Sequence, residues 1–200
     1  MSRVILTGVL AFAVLVAGYH HFAQASGQSV GGSSVNVVPG GGSVATVSSG
    51  TGGALKGLSA SQARQLTVDQ AQWQADFNEF MQATLQCPVQ YAGVIGKHPS
   101  VKSCVAPSYR KWSVSFTRFQ REVASDMHSV SPTCGSVLAE SAGLKGPGAK
   151  LRPSMRKLLA ATERNGGFGD QAGANSDGGR AIEAEGAMVK AALLLSSACN

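Results

Sequence analysis

Few residues in this chain could do chemistry, and their spacing decides what kind. Beyond residue 25 only two histidines remain, His98 and His128. His98 stands in a proline-containing stretch between two cysteines. His128 sits near the end of a helical period, where a protonated imidazole complements the helix dipole. A general base needs a nucleophile and an orienting group within hydrogen-bond reach. No Gly-x-Ser-x-Gly elbow supplies a serine for that purpose. The four cysteines, Cys87, Cys104, Cys134 and Cys199, show no C-x-x-C spacing, which argues against zinc. They read instead as two disulfides, with Cys87–Cys104 and Cys134–Cys199 the favoured pairing. No catalytic residue, metal ligand or cofactor is assigned.

Three further segments carry partial likenesses to chemical motifs. Glu140-Ser141 is similar to the Glu-Ser start of the lytic transglycosylases. Leu144-Lys145-Gly146-Pro147 does not supply the Gly-Leu-Met-Gln-like segment of that family, so its activity is not carried over. Gly173 to Gly178 resembles part of a calcium loop, but the first acidic ligand is missing, and Glu183 and Glu185 straddle the twelfth position. Gly166-Gly167-Phe168-Gly169 lacks the Lys-Ser/Thr of a phosphate loop.

Charge is the asymmetric feature. Residues 97–164 hold 12 basic and 4 acidic side chains, within a chain of net charge +6. Lys145, Lys150, Arg152, Arg156, Lys157 and Arg164 cluster in sequence and are the candidate anion-binding residues. A patch of this sign favours phospholipid head groups, lipopolysaccharide, acidic glycans or an acidic protein.

The elements that must carry these residues follow from composition and period. Arg3, the 16 uncharged residues from Val4 to Tyr19 and Ala23-Gln24-Ala25 read as a cleaved export signal over 1–25. An uncleaved anchor is the alternative, although the run is shorter than the roughly 18–20 residues of a spanning helix. In residues 26–57, 17 of 32 residues are Gly or Ser, which reads as a flexible linker. Val35, Val37, Val38, Val44 and Val47 flank Pro39-Gly40 and offer a weak hairpin as the other reading.

Residues 58–200 carry helical periods and no strand alternation. The expected fold is all-α: a small disulfide-braced bundle of four or five helices behind a disordered Gly/Ser-rich arm. Thr67 with Gln70 gives a capping-box start, with a possible upstream turn over Ser59–Leu66, and the helix is expected to stop at Cys87-Pro88. Trp73, Phe77, Phe80, Met81 and Leu85 form its apolar face. Pro107 opens the second helix, with Tyr109, Trp112, Phe116, Phe119, Val123 and Met127 as an inward stripe. Ser131-Pro132 opens a third helix to Ser141, followed by a loop over Gly143–Gly148, and Pro153 opens a fourth. Residues 165–179 read as a glycine-rich loop. The last helix, capped by Asp177, turns Ile182, Gly186, Val189 and Leu193 inward, and Gly186 is expected to allow a close helix approach.

The expected function is an exported cell-envelope binding or scaffolding protein without catalytic activity, such as an accessory subunit of an envelope assembly. Its partner would be an envelope protein or an anionic surface, with no nucleic acid, and a membrane only if the N-terminal segment is retained. One alternative is a cell-wall or lipid hydrolase using Glu140 or His98. Another is a secreted effector or inhibitor that docks an acidic target through its basic face. Location is periplasmic or secreted, or anchored at the inner membrane with the domain outside the cytoplasm.

Overall fold

A computed structural model describes residues 55–91, 101–163 and 171–199. The signal, the valine hairpin, His98, Arg164 and the 165–170 part of the glycine-rich loop lie outside them. The described residues belong to one unit, Thr51–Asn200, and contain no strand. The helices are α1 (Ala60–Tyr91), α2 (Val101–Asp126), α3 (Pro132–Ser141), α4 (Leu151–Glu163), α5 (Gln171–Leu193) and the short α6 (Leu195–Ala198). Single 3₁₀ turns follow α2 and precede α4. The all-α, disulfide-braced bundle is therefore what the chain forms.

Helix α1 starts a full two turns before Thr67. Its capping box is Ser59 with Gln62: the Gln62 amide donates to Ser59 Oγ at 3.2 Å, and the Ser59 amide donates to Gln62 Oε1 at 2.9 Å. Thr67 lies inside the helix, where its hydroxyl donates to the Ala63 carbonyl at 2.9 Å. Both expected proline boundaries also move. Pro88 lies inside α1 and Pro107 inside α2. An interior proline removes one helical hydrogen bond and costs about 3 kcal/mol. Tertiary contacts offset that cost here. Buried Cys87 is bonded to Cys104, and Val101 and Val105 are buried ahead of Pro107.

Helices α1 and α2 run antiparallel, joined from Gln62–Asp126 at one end to Cys87–Cys104 at the other. Their shared seam is a run of rings. Phe80 meets Tyr109 at 5.4 Å between centroids, Tyr109 meets Trp112 at 5.6 Å, and Trp112 stacks on Phe116 at 5.3 Å. Trp73 closes the run against Phe116 and Phe119. Such pairs contribute about 0.5–1.5 kcal/mol each beyond their buried area. The indole N–H groups of Trp73 and Trp112 are buried without a protein acceptor, which sets about 1–3 kcal/mol per group against that gain.

Helix α3 begins as its sequence suggests, with Ser131 as N-cap and Pro132 at the first position. The loop after it contains a 3₁₀ turn, Pro147–Lys150, and α4 begins at Leu151, two residues before Pro153. Helix α5 begins at Gln171, so 171–179 is helix and Asp177 is no cap. Asp177 instead pairs with Arg180 one turn on, at 3.2 Å. The inward face of α5 is also rotated from the expected one. Ala181, Ala184, Met188, Ala191 and Ala192 are buried, and Leu193 is 67% exposed. The alanines win because small side chains let α5 lie close to α4, which repays glycines that cost about 1 kcal/mol each in a helix. The second disulfide, Cys134–Cys199, ties the chain end to α3. In the chain-entropy account it contributes about 4 kcal/mol and Cys87–Cys104 about 3 kcal/mol. Beside it the Lys56 amide donates to the Cys199 carbonyl at 2.9 Å, so the packed unit begins slightly ahead of Leu58.

The close approach falls elsewhere than at Gly186. A Cβ on Gly186 would meet nothing within 4 Å, whereas one on Gly148 would stand 2.4 Å from Met188 Cγ. Gly186→Ala is therefore expected to raise stability by about 1 kcal/mol. Gly148→Ala should lower it by about 1–3 kcal/mol. Urea unfolding followed by circular dichroism measures both.

Candidate functional site

The fold distributes the charges of residues 97–164 into two sets. The first set is consumed inside the α1–α2 hairpin. Asp69 and Asp76 lie on the flank of α1 that meets α2, and both are buried. Arg118 Nε stands 2.9 Å from Asp69 Oδ1 as an ion pair, and Gln65 Nε2 donates to Asp69 Oδ2 at 3.1 Å. Lys111 Nζ lies 3.4 Å from Asp76 Oδ1 and 2.5 Å from Glu79 Oε2. Gln72 adds a hydrogen bond to Asp76 at 2.9 Å. Farther along, Gln62 Nε2 donates to buried Asp126 at 2.7 Å. These pairs set helix register. The hydrogen bond that Lys111 donates to Glu79, reinforced by Asp76, holds the pKa of its ammonium above the ordinary value.

The hairpin leaves a shallow open groove of about 440 Å³ on its outer side, lined by Gln72, Asp76, Arg110, Lys111, Val114, Ser115 and Arg118. Most of its charged lining is already paired. Among the described residues no group of three or more His, Cys, Asp or Glu side chains is arranged to hold a metal ion. The calcium-like segment 173–178 is helical.

The second set is the sequence cluster, and the fold splits it. Lys145 is engaged by Ser136 and by Glu140, whose Oε1 lies 3.7 Å away. Glu140, the hydrolase candidate, is thus a half-exposed partner in a surface ion pair. Arg152 Nη2 donates to Thr117 Oγ1 at 2.9 Å and to Gln120 Oε1 at 3.0 Å, with its guanidinium 5.4 Å from the Phe116 ring centroid. Arg152 is therefore both a cation and the clasp between α4 and α2. Gln120 continues the clasp by donating to the Ala142 carbonyl at 3.0 Å. Arg156 lies one turn along α4 from Arg152 and acts on the Tyr109 hydroxyl. Lys157 stands about 140° around the helix from Arg152, on the opposite flank, at 100° per residue. Lys150 and Lys157 are exposed.

Two cations join Arg152 and Arg156 that the sequence cluster did not contain. Arg110 and Arg121 share an outer ridge of α2 with Thr117, seven residues from one and four from the other. The Arg152–Thr117 bond places that ridge beside α4. The signal was legible as helical spacing on α2, but only the packing of α4 against α2 links it to Arg152. His128 is exposed in the 3₁₀ turn after α2.

No known protein family, no curated protein and no solved structure matches this chain. Among the described residues no helix is long and apolar enough to cross a membrane.

Two outcomes follow from this charge arrangement. Arg118→Ala strands the Asp69 carboxylate, which is 1% exposed, and should cost about 2 kcal/mol, below the range for fully buried pairs because Arg118 is half-exposed. Arg118→Lys should recover part of the loss, as read by urea unfolding. The second concerns alkaline pH. Burial raises the Tyr109 phenol above its ordinary 10.0, against the opposing pull of Arg156 and Arg152. A raised phenol favours the folded state below about pH 10 and loses that contribution as pH climbs past it. Stability should therefore fall above about pH 10, and Tyr109→Phe should flatten the fall in unfolding curves taken at successive pH values.

Proposed function

We propose that this chain is an exported binding or scaffolding module of the bacterial cell envelope that performs no reaction of its own. The observation that carries the reading is the pairing of all four cysteines into two disulfides, which close a small helical unit at both ends. Disulfides of this kind persist in oxidising, extracytoplasmic compartments. The export pattern of residues 1–25 points the same way, to a periplasmic or secreted protein. The hairpin's buried acidic groups are engaged in helix pairing, which is the use a scaffold makes of them. What the domain offers a partner is an exposed surface rich in guanidinium groups.

The test is fractionation of cells of the native host, with thiol alkylation before lysis. The chain is expected outside the cytoplasmic membrane, protease-accessible in spheroplasts, unreactive to the alkylating agent, and crosslinkable to an envelope component. A cytoplasmic chain with four reactive thiols overturns the proposal, and so does an exported chain that crosslinks to nothing in the envelope.

A further inference from the structure

Five large apolar side chains among the described residues stand exposed: Val68, Val114, Leu144, Leu193 and Leu194. Val114 is the barest, at 69%, and it stands among cations. Arg110 precedes it by one turn, and Arg118 and Arg121 follow at one and two turns along the same outer ridge of α2. Arg118 is occupied by Asp69. Arg110 and Arg121 are not: among the described residues no ion pair holds them, nor Arg152 or Arg156.

The Arg152–Thr117 bond brings the α4 pair against this ridge, so two helices present four guanidinium groups on the side of the bundle where Val114 stands bare. Arg152 spends only Nη2 on Thr117 and Gln120, which fixes its plane and leaves the other nitrogens of the fork for an outside acceptor. The nearest acidic residue farther along α4 is Glu163, two turns past Arg156, and Glu122 is rotated about 100° from Arg121 toward α1. The face is a ridge whose Arg110 and Val114 also line the shallow open groove toward α1, and the other charges of that groove, Asp76, Lys111 and Arg118, are paired.

Resting on the envelope reading above, we infer that Arg110, Arg121, Arg152 and Arg156 form a docking face for an anionic phospholipid bilayer, with Val114 entering the head-group layer. Three features select a bilayer over an acidic protein. Guanidinium forks match phosphate oxygens in a bidentate manner. The cations are spread over two helices, and of the four only Arg110 lines the shallow groove. An exposed aliphatic with arginines a turn to either side suits interfacial binding, where apolar insertion adds to attraction for anionic lipid.

Flotation of the protein recovered from outside the cytoplasm tests this, using phosphatidylcholine vesicles with or without about 30% phosphatidylglycerol. Binding is expected only to the anionic vesicles, with release as salt rises from roughly 0.05 to 0.5 M. Arg110→Gln with Arg156→Gln should weaken binding about 30-fold, at about fivefold per cation. Both side chains are exposed, so the thermal unfolding midpoint should stay unchanged. Val114→Ser should weaken binding several-fold, and Lys145→Gln, which removes a paired cation, by less than about twofold. Equal binding to neutral vesicles, or an unaltered double variant, overturns the inference. A protein that floats with neither vesicle yet fractionates outside the cytoplasm also overturns it, and leaves the envelope reading standing. So does one that binds an acidic protein but no vesicle. A cytoplasmic, thiol-reduced chain removes both readings.

Discussion

The structure depends on the aromatic seam between α1 and α2. Trp73, Phe80, Trp112 and Phe116 are almost completely buried, and with Tyr109 bridging Phe80 and Trp112 they form a continuous run of rings along the hairpin. Large flat side chains bury much area per residue, so two helices already hold most of a small core. The seam also sets what the flanks must do. Asp69 and Asp76 fall beside it, and their charges are tolerable there only because Arg118 and Lys111 reach across from α2. The same register places Cys87 opposite Cys104, so the disulfide closes a geometry that side-chain packing already favours.

The second half of the bundle is built on different physics. Helix α5 packs with alanines and a methionine rather than rings, and its glycines weaken it as an isolated helix. It is held by closeness to α4, by Met188 seated against Gly143 and Gly148, and by the Cys134–Cys199 bond at its end. Gly143 has φ of +62°, a conformation that suits glycine and turns the chain back toward the 3₁₀ turn. Arg152 is the link between the halves, because it bonds α2 through Thr117 and Gln120 while lying over Phe116 of the seam. One side chain thus connects the core to the cationic surface, and the proposed docking face inherits its rigidity from that anchoring.

Much of the first half was legible in the residue pattern, for a physical reason. Aromatic residues recurring at steps of three and four on two segments can be buried together in only one way, as facing stripes. The cysteine arithmetic and the Ser131-Pro132 start of α3 were legible on similarly local grounds. The helix ends were less so. Thr67 carries a local start signal that the equally local capping box of Ser59 and Gln62 pre-empts, whereas the stop signal of Pro88 and the start signal of Pro107 are overruled by contacts that run across the hairpin. The glycine-rich start of α5 was not legible either, since helix propensity is a weak preference and the segment continues a helix that is held by its buried Ala181, Ala184 and Met188.

The amino-acid sequence by itself determined the class of the fold, the inward-facing aromatic stripes and the excess of positive charge between residues 97 and 164, because period, ring content and charge are local properties. Only the tertiary structure decided where that charge is spent. Lys111 and Arg118 are neutralised by α1 and Lys145 by Glu140, while Arg110 and Arg121 join Arg152 and Arg156. Which cations find a carboxylate depends on the neighbouring helix, and no spacing along a single helix contains that information.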